Sequence, residues 1–558
     1  MALSVVPPTP DLTAALDAVQ GAEDAGSIDV RSAVTSLGRA ALSSRSLLHS
    51  GARFAAETAK AVAGRSELEP PKGDRRFDDP TWSEHPGYRR LKQVYLAFTQ
   101  EVDELVEGAD LDWRSKERAK FAAGVLTSAM APTNTLLGNP AAIKRVLETG
   151  GGSLVSGTRQ YVDDLLHNGG MPRQVDASSF EVGKNLAATP GAVVYRTDVM
   201  ELIQYTPQTP KVHARPLLIV PPEINKYYFL DLAPGRSLVE FALSRGLQVF
   251  IISWRNPQAE HATWNLDTYA GAVLQAVDAA REISGGDEVV AFGLCAGGIT
   301  LATALSCLAA SGEEKVAALA LGVTLIDWNL PSPVGAFQSG KLLNVARRRS
   351  ASKGVLDARS LGSVFTWMRP NDLVWNYWVN NYLMGRKPPS FDILAWNADS
   401  TNLPGALHSQ FLNIFERNLL VQRGALTVLG EPVDLASIKI DNYVVGGLSD
   451  HLTPWQGCYR ATQLLGGHST FVLSPTGHIQ TPVSPPSPKA HHFTGPAPGP
   501  DPEAWRAGSA RQDGTWWNHW GDWATARAGE LRAAPATLGS AAYPPLAAAP
   551  GTYVFERA

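Results

Sequence analysis

Four short runs of apolar, mostly β-branched residues, each followed by a stretch with helical spacing, constrain the fold of this chain most strongly. Strands that are apolar throughout are buried on both faces, which is typical of parallel sheets covered by helices. Their alternation with helices therefore predicts an α/β fold. Ahead of them, the alternating segment AVVYRTDVMELIQYTP (192–207) predicts an antiparallel hairpin. The four runs are PLLIV (216–220), LQVFIIS (247–253), EVVAF (288–292) and VAALALGVTLI (316–326).

After Trp328 an aromatic, mainly helical segment interrupts this rhythm, which resumes with IKIDNYVVGG (438–447) and STFVLS (469–474). We interpret the interruption as a helical cap inserted between two strands of one sheet. The tail is rich in Pro, Gly and Trp, and we expect it to wrap over the body. The predicted organisation is a flexible N-terminus (1–30), an N-terminal helical domain (31–185), a catalytic core (186–480) with the cap at about 328–430, and a C-terminal wrapping tail (481–558).

Composition excludes several classes of protein. The 558 residues carry a formal net charge of −4, which argues against a nucleic-acid-binding face. Three cysteines are too few and too scattered for a disulfide framework or a structural zinc site, so a reducing, cytoplasmic compartment is expected. The first residues, MALSVVPPTPDL, lack the order of a signal peptide, and no apolar run reaches the ~18 residues of a transmembrane helix.

One of those cysteines, Cys295, lies in the turn GLCAGG (293–298), between the run EVVAF and a helical stretch of small residues. A nucleophile elbow has this layout, because the reactive residue occupies a strained turn and its neighbours two positions away must be very small. The helix that begins at Ala296 directs its positive end at the sulfur and favours thiolate. The backbone N–H of Ala296 is then a candidate oxyanion donor.

Other interpretations of this glycine-rich turn are less consistent with it. A dinucleotide fingerprint needs glycine where Cys295 stands, and the Gly-Lys-Ser/Thr ending of a phosphate loop is absent. A buried, inert cysteine in a tight turn is the remaining alternative. Neither ligand spacing for a metal nor a phosphate cradle is found, so no metal or organic cofactor is expected.

An acid and a base follow the late strands in the chain order of an α/β-hydrolase triad. Asp450 comes just after the strand that ends near Gly446, and His478 comes just after the next strand. The interval between them has room for one helix and one strand, as a βαβ unit requires. His451 is the competing base, but its side chain would leave the loop in a different direction from that of Asp450, which favours His478.

A second oxyanion donor is expected from the loop after the first central strand, PPEINKYYFLDL (221–232). The backbone N–H of Ile224 or Asn225 is the candidate. Pro221 and Pro222 would stiffen this loop, although prolines also simply end strands.

Several long and chemically unusual phrases resemble the polyhydroxyalkanoate (PHA) synthases, from about residue 75 to the end. These acyltransferases polymerise (R)-3-hydroxyacyl-CoA into a storage polyester and release CoA. The phrases TPGAVVYR and ELIQYTP are similar to the single-subunit, medium-chain (class II) type. The others are APTNTLLGNPAA (131–142), PPEINKYYFLDL, VFIISWRNP (249–257), GLCAGG, WNADSTNLPGALH (396–408), SDHLTPW (449–455), SPTGHI (474–479) and PGTYVFERA (550–558).

By this resemblance, Cys295, Asp450 and His478 fill the nucleophile, acid and base positions. The resemblance also implies an α/β-hydrolase core with an N-terminal helical domain and a cap, a homodimer, and association with cytoplasmic polyester granules. Leu294 and Ala296 flank Cys295, whereas the medium-chain type usually carries a small polar residue after the nucleophile. The preferred acyl length therefore stays open.

Two other functions remain possible on sequence grounds. A thioesterase, a polyester depolymerase or a lactone hydrolase would share the same elbow. A catalytically inactive granule-binding protein would not need Cys295 at all. The stretch VTSLGRAALSSRSLLHSGARFAAETAK (34–60) has apolar residues at helical spacing interspersed with Arg and Lys, so it could lie on a granule surface or dock on the body.

Overall fold

The computed structural model describes residues 47–558 together with the isolated positions 35 and 38. The predicted flexible N-terminus and the first part of the 34–60 stretch therefore lie outside the described residues. Two compact units are distinguished. The first comprises the residues up to Asp176 with Pro331–Ala346 and Ser360–Phe391, and the second comprises Ala177–Leu330, Arg347–Arg359 and Asp392–Ala558.

The first unit is helical, and its helix starts follow from local capping. The Asp112 carboxylate accepts hydrogen bonds from the amides of Arg114 and Ser115, and the Asn139 side chain accepts one from Ala142, so both satisfy amides of a first turn. The helices are α1 (Leu47–Val62), α2 (Thr81–Glu84), α3 (Pro86–Glu107), α4 (Trp113–Ala129), α5 (Pro140–Glu148) and α6 (Gly152–His167).

Part of the inserted segment belongs to this first unit. Of its two π-helical turns, Asn371–Trp375 packs on α4 and Trp378–Leu383 packs on α6. The Tyr382 hydroxyl donates to a carboxylate oxygen of Asp164 at 2.9 Å, and both side chains are buried. The inserted residues thus help to form the core of the helical unit.

The second unit is built on an 11-stranded sheet. Its first strands and helices alternate as predicted, and the helices are rich in small apolar residues that pack closely on the strands. They are β1 (Gly191–Arg196), β2 (Met200–Tyr205), β3 (Lys211–His213), β4 (Leu217–Val220), α7 (Leu238–Ser244), β5 (Val249–Trp254), α8 (Leu266–Ser284), β6 (Val289–Leu294), α9 (Ala296–Ser311) and β7 (Val316–Gly322).

A further run of short elements leads from β7 to the next strands of the sheet, β12 and β13. The elements in chain order are α10 (Gly340–Lys353), β8 (Val355–Leu356), α11 (Ala358–Trp367), α12 (Asp392–Ala398), β9 (Leu403–Pro404), α13 (Gly405–Arg417), β10 (Thr427–Val428), β11 (Glu431–Pro432), β12 (Asp441–Gly447), α14 (Trp455–Tyr459), α15 (Ala461–Leu464) and β13 (Ser469–Ser474).

The centre of the sheet is parallel. The strands β5, β4, β6, β7, β12 and β13 lie side by side in that order, and all five pairings between them are parallel. The strands β1 and β2 form the predicted antiparallel hairpin. Because Leu321 of β7 pairs directly with Val444 of β12, the inserted segment connects two neighbouring strands, as predicted.

The C-terminal tail extends the sheet at both edges. The strands β14 and β15 continue it beyond β13, and β17 pairs with β1 at the opposite edge. Along the chain, a helix lies between β15 and β17, and its side chains of Trp516, Trp517 and Trp520 are buried. The tail elements are β14 (His491–Thr494), α16 (Pro502–Ala507), β15 (Ala510–Asp513), α17 (Trp516–Thr525), β16 (Leu531–Ala533) and β17 (Ala547–Ala548).

Candidate active site

Cys295 occupies the sharp turn between β6 and α9. Its φ of 50° and ψ of −124° place a non-glycine residue in a sparsely populated conformation, which persists only where the surroundings enforce it. The Cys295 amide donates to the Gly322 carbonyl at 2.9 Å, and its own carbonyl accepts from the Gly298 amide at 3.1 Å. These bonds hold the half-buried side chain at the carboxyl end of the sheet.

The two glycines that the elbow requires are in close contact with backbone. A Cβ on Gly293 would lie 2.6 Å from the Cα of Gly298. A Cβ on Gly297 would collide with the carbonyl oxygens of Val220 and Pro221. Helix α9 therefore lies directly against the end of β4, and a larger residue at either position would separate them.

Asp450 lies just after β12 in a loop that satisfies both of its carboxylate oxygens. One oxygen accepts from the amides of Leu452 and Thr453, at 2.8 and 2.9 Å. The other accepts from the Thr453 hydroxyl at 2.6 Å. Burial alone would raise the pKa of Asp450, but the charge of His478 and these hydrogen bonds outweigh it and lower that pKa. The carboxyl is thus held ionised.

His478 lies just after β13, and its Nδ1 is 2.7 Å from a carboxylate oxygen of Asp450. Burial disfavours the imidazolium, but the charge of Asp450 and the neighbouring sulfur of Cys295 prevail, and they raise the pKa of His478 well above its ordinary value. The structure thus brings together the three side chains that the sequence predicts as nucleophile, acid and base; their catalytic roles stay a prediction.

The remaining cysteines have different surroundings. The Cys307 thiol donates to the Val428 carbonyl at 3.2 Å, and burial, followed by nearby acidic residues, raises its pKa to about 11. Cys458 is buried beside Thr453, and burial raises its pKa well above the ordinary value. Buried thiols of this kind are poor nucleophiles, which leaves Cys295 as the candidate.

The two expected oxyanion donors are the amides of Ala296, which directly follows Cys295, and of Ile224, which lies in the loop after β4. Ala296 is the first residue of α9, so its amide has no acceptor within the helix. Ile224 lies in the loop 221–226, which follows β4. Side-chain donors fix the carbonyls of this loop: the Trp254 indole donates to Pro221 at 2.8 Å, Thr401 to Glu223 at 3.2 Å and the Trp396 indole to Lys226 at 2.8 Å. Asn225 forms an isolated bridge with Ser400.

Two residues near this site, Thr453 and Glu223, are not predicted from the sequence. Thr453 donates to Asp450 and lies 3.1 Å from Nδ1 of His478. A hydroxyl three residues after an aspartate is a common local capping pattern, so the signal existed, but it is weak. Glu223 is a buried carboxyl within the loop, and its only signal in the sequence is an acidic residue between Pro222 and Ile224, directly after a buried strand.

Among the described residues, no group of three or more His, Cys, Asp or Glu side chains could hold a metal ion. Within residues 47–558, no helix combines the length and apolarity needed to cross a membrane.

Comparison with known proteins identifies the family of this chain. Residues 73–242 match the model of the poly-beta-hydroxybutyrate polymerase (PhaC) N-terminus, and residues 232–484 match that of the alpha/beta hydrolase fold, which confirms the predicted core. The chain is 49% identical to poly(3-hydroxyalkanoate) polymerase 1 of Ectopseudomonas oleovorans, with 92% of each chain covered. It is 42% identical to the poly(3-hydroxyalkanoate) polymerase subunit PhaC of Cupriavidus necator, over 89% of this chain and 85% of that protein. With a fold, an elbow and relatives that agree, the chain belongs to the poly(3-hydroxyalkanoate) polymerase family.

Proposed function

We propose that the protein is an acyltransferase that polymerises (R)-3-hydroxyacyl-CoA into polyhydroxyalkanoate and releases CoA. Two relatives named poly(3-hydroxyalkanoate) polymerase share 49% and 48% identity with the chain over about nine tenths of its length, which supports this activity. The single observation that carries the mechanism is the half-buried Cys295 at the elbow, whose sulfur helps to raise the pKa of His478, together with the 2.7 Å contact between His478 Nδ1 and Asp450.

In the first half-reaction the substrate's acyl group moves to Cys295. Because Asp450 engages Nδ1 of His478, Nε2 is the nitrogen that takes the thiol proton. The sulfur attacks the thioester carbonyl, and the amides of Ala296 and Ile224 stabilise the resulting oxyanion. The carbon–sulfur bond to CoA then breaks, and CoA leaves as a thiol with the proton from His478. The products are the acyl-cysteine and free CoA.

In the second half-reaction the 3-hydroxyl of an acceptor takes the acyl group. His478 removes the hydroxyl proton, the oxygen attacks the acyl-cysteine carbonyl, and the bond to Cys295 breaks as the sulfur regains the proton. One ester bond forms and one thioester bond is lost. The transfer from sulfur to oxygen is downhill, so a cysteine suits chain extension better than a serine, whose oxoester would offer no such gradient.

Water must be excluded, because hydrolysis of the acyl-cysteine would end the chain. Asp450 and His478 are both more than nine tenths buried, which supports a protected site. The inserted cap (328–430) is the proposed barrier to water and the gate for substrate. If the intact enzyme released free hydroxy acid as fast as it extended the polymer, the cap would not be this barrier.

Association with other molecules is proposed on the family's precedent. The enzyme acts as a homodimer at the surface of polyester granules in the cytoplasm, where the growing chain leaves the aqueous phase. No metal or organic cofactor takes part, because the chemistry needs only the thiol, the imidazole and backbone amides.

Labelled 3-hydroxybutyryl-CoA and its C6–C12 homologues test the proposal with purified protein. Insoluble labelled polymer together with CoA release is the expected result, and the homologue series gives the preferred acyl length. Free hydroxy acid as the main product would indicate a hydrolase instead.

The role of Cys295 is tested by Cys295→Ala, which should abolish CoA release, and by mass spectrometry, which should find the acyl group on Cys295 of the quenched wild-type enzyme. Cys307→Ala is the matched control, because it removes a thiol from the same helix but leaves the site intact. If Cys295→Ala left every activity unchanged, the protein would be a granule-binding protein without catalysis.

A further inference from the structure

Glu223 is a buried carboxyl that the proposed mechanism does not use. It lies in the loop 221–226, next to Ile224, and only 3% of its surface is exposed. One carboxyl oxygen accepts a hydrogen bond from the Thr300 hydroxyl at 2.5 Å. The other oxygen is buried and has no hydrogen-bond partner among the described residues. A buried polar atom of this kind is costly, so its retention needs an explanation.

The contact with Thr300 joins the two elements that carry the expected oxyanion donors. Thr300 lies on α9, little more than one turn after Ala296, and Glu223 directly precedes Ile224. The loop and the helix approach so closely that Gly297 has no space for a Cβ. The Glu223–Thr300 hydrogen bond therefore links the loop 221–226 to α9. A small shift between these two elements would change the distance between the amides of Ile224 and Ala296.

We propose that Glu223 is a positioning residue for acyl transfer: its neutral carboxyl holds the Ile224 loop against the helix that begins at Ala296 and so sets the oxyanion site. Glu223 does not touch the reacting atoms, and the inference rests on the proposed function. The neutral form fits the surroundings, because a carboxylate there would be a buried charge without a cation to balance it.

The ionisation of Glu223 gives this role a pH dependence. Burial raises its pKa to about 7, while the Thr300 hydroxyl and the residue's own amide lower it by less. The titratable side chain that interacts with it is Tyr269 of α8, which is itself buried and neutral because burial, and then Glu223, raise its pKa. No basic side chain of the described residues contributes to the Glu223 pKa. Ionisation above about pH 7 should therefore loosen the loop.

The test compares Glu223→Gln with the wild type in CoA release from 3-hydroxybutyryl-CoA between pH 6 and 9. Glutamine keeps the size and the hydrogen bond but cannot ionise. At pH 6 the two kcat values should agree within about threefold. The ratio of wild-type to variant kcat should then fall about tenfold as pH rises through 7, because an error of ~1 Å in positioning costs up to ~100-fold in rate. Taking the ratio removes the titration of His478, which both enzymes share.

A second variant, Glu223→Leu, removes the hydrogen bond and should lower kcat roughly 10- to 100-fold at pH 6, with KM within about twofold. Thr300→Val should give a smaller loss in the same parameter. A pH-independent ratio of wild-type to Glu223→Gln kcat, or a Glu223→Leu effect confined to KM, would overturn the proposal. If Glu223→Leu does not fold, the Glu223→Gln comparison decides alone.

Thermal unfolding separates this inference from the proposed function. Since the folded-state pKa of Glu223 lies above its unfolded value, its stabilising effect is present below about pH 4.3 and is lost as pH rises to about 7. The Tm of the wild type relative to Glu223→Gln should therefore fall over this window. A constant difference in Tm would overturn the neutral-carboxyl role, whereas failure to release CoA at all would overturn the proposed function and leave the Tm result unaffected.

Discussion

The Asp450 carboxylate contacts Nδ1 of His478, the proposed base, and supplies the charge that favours protonation of this imidazole. Asp450→Asn keeps the shape of the side chain but removes that charge, so His478 loses its oriented Nδ1–H bond and the pKa of His478 should fall. We expect kcat for CoA release to drop by about 10²–10⁴-fold while the protein stays folded. Asp441→Asn is the matched control, because Asp441 begins β12, the strand that Asp450 follows, and pairs with Arg527 at 2.7 Å outside the site. Equal losses in the two variants would contradict this role.

The same pair makes stability depend on pH. The folded-state pKa of Asp450 is lowered, so its contribution is present above about pH 3.9 and is lost as pH falls through the folded-state value. The pKa of His478 is raised, so its contribution is complete below about pH 6.5 and is lost as pH rises through the folded-state value. The Tm difference between wild type and Asp450→Asn should thus be largest near pH 5–6 and shrink toward alkaline pH. Asp441→Asn, which leaves the Asp450–His478 pair intact, is the control for this comparison.

At the scale of single residues, the positions of the three site side chains could be predicted from the sequence, while their catalytic roles stay predictions. Cys295, Asp450 and His478 each follow a strand that can be recognised by its apolar run, and parallel strands bring their carboxyl ends to one edge of the sheet. Thr453 and Glu223 could not be predicted in the same way. Their roles depend on which oxygen faces which neighbour, and one sequence does not contain that information.

A substitution at Gly297 tests whether activity needs the close approach of α9 to the end of β4. In Gly297→Ala the new Cβ would collide with the carbonyl oxygens of Val220 and Pro221, so α9 would have to move away from the Ile224 loop. We expect kcat to fall at least tenfold and stability to fall by about 1–3 kcal/mol, the usual cost of overpacking. Gly271→Ala in α8 is the control, because its Cβ would meet only Leu429 at an ordinary 3.8 Å. The control should be at least as stable as wild type. A fully active Gly297→Ala enzyme would show that the close approach is not needed.

The C-terminal segment is a second element tied to this loop. The buried ammonium of Lys226 donates to the carbonyls of Val554, at 2.8 Å, and Glu556. Lys226→Met fills the same space but leaves both carbonyls without a donor, at a cost of about 1–3 kcal/mol each. We expect faster proteolysis within residues 550–558 and a severalfold lower kcat, because the loop loses one of its supports. Lys184→Met, at an exposed lysine, should change neither measurement. Unchanged proteolysis of Lys226→Met would rule out this attachment.

At the scale of the whole chain, the succession of strands and helices along the sequence was predictable, and the division into two compact units was not. The strands β4, β5, β6 and β7 can be recognised because each is a continuous apolar run that is followed by a stretch with helical spacing. The partner of the inserted segment is decided by long-range packing: residues 360–391 join the first unit through contacts such as Tyr382 with Asp164, more than 200 positions apart. A buried hydroxyl–carboxylate pair of this kind leaves no periodic signal, so a sequence pattern places the insertion but not what it packs on.

The surface of the first unit provides a test of granule association. Helix α6 exposes Val155, Val162 and Leu166 at helical spacing, with 73%, 46% and 70% of their surfaces accessible. Apolar side chains in such a row are unfavourable in water and would be stabilised on a polyester surface. The triple variant with serine at these positions should sediment less with isolated granules, while its kcat on soluble 3-hydroxybutyryl-CoA stays within about twofold of wild type. A control with serine at Val345 and Leu531, which are exposed elsewhere on the chain, should bind granules normally. Equal sedimentation of the two variants would exclude α6 as the contact and direct the search to the 34–60 stretch.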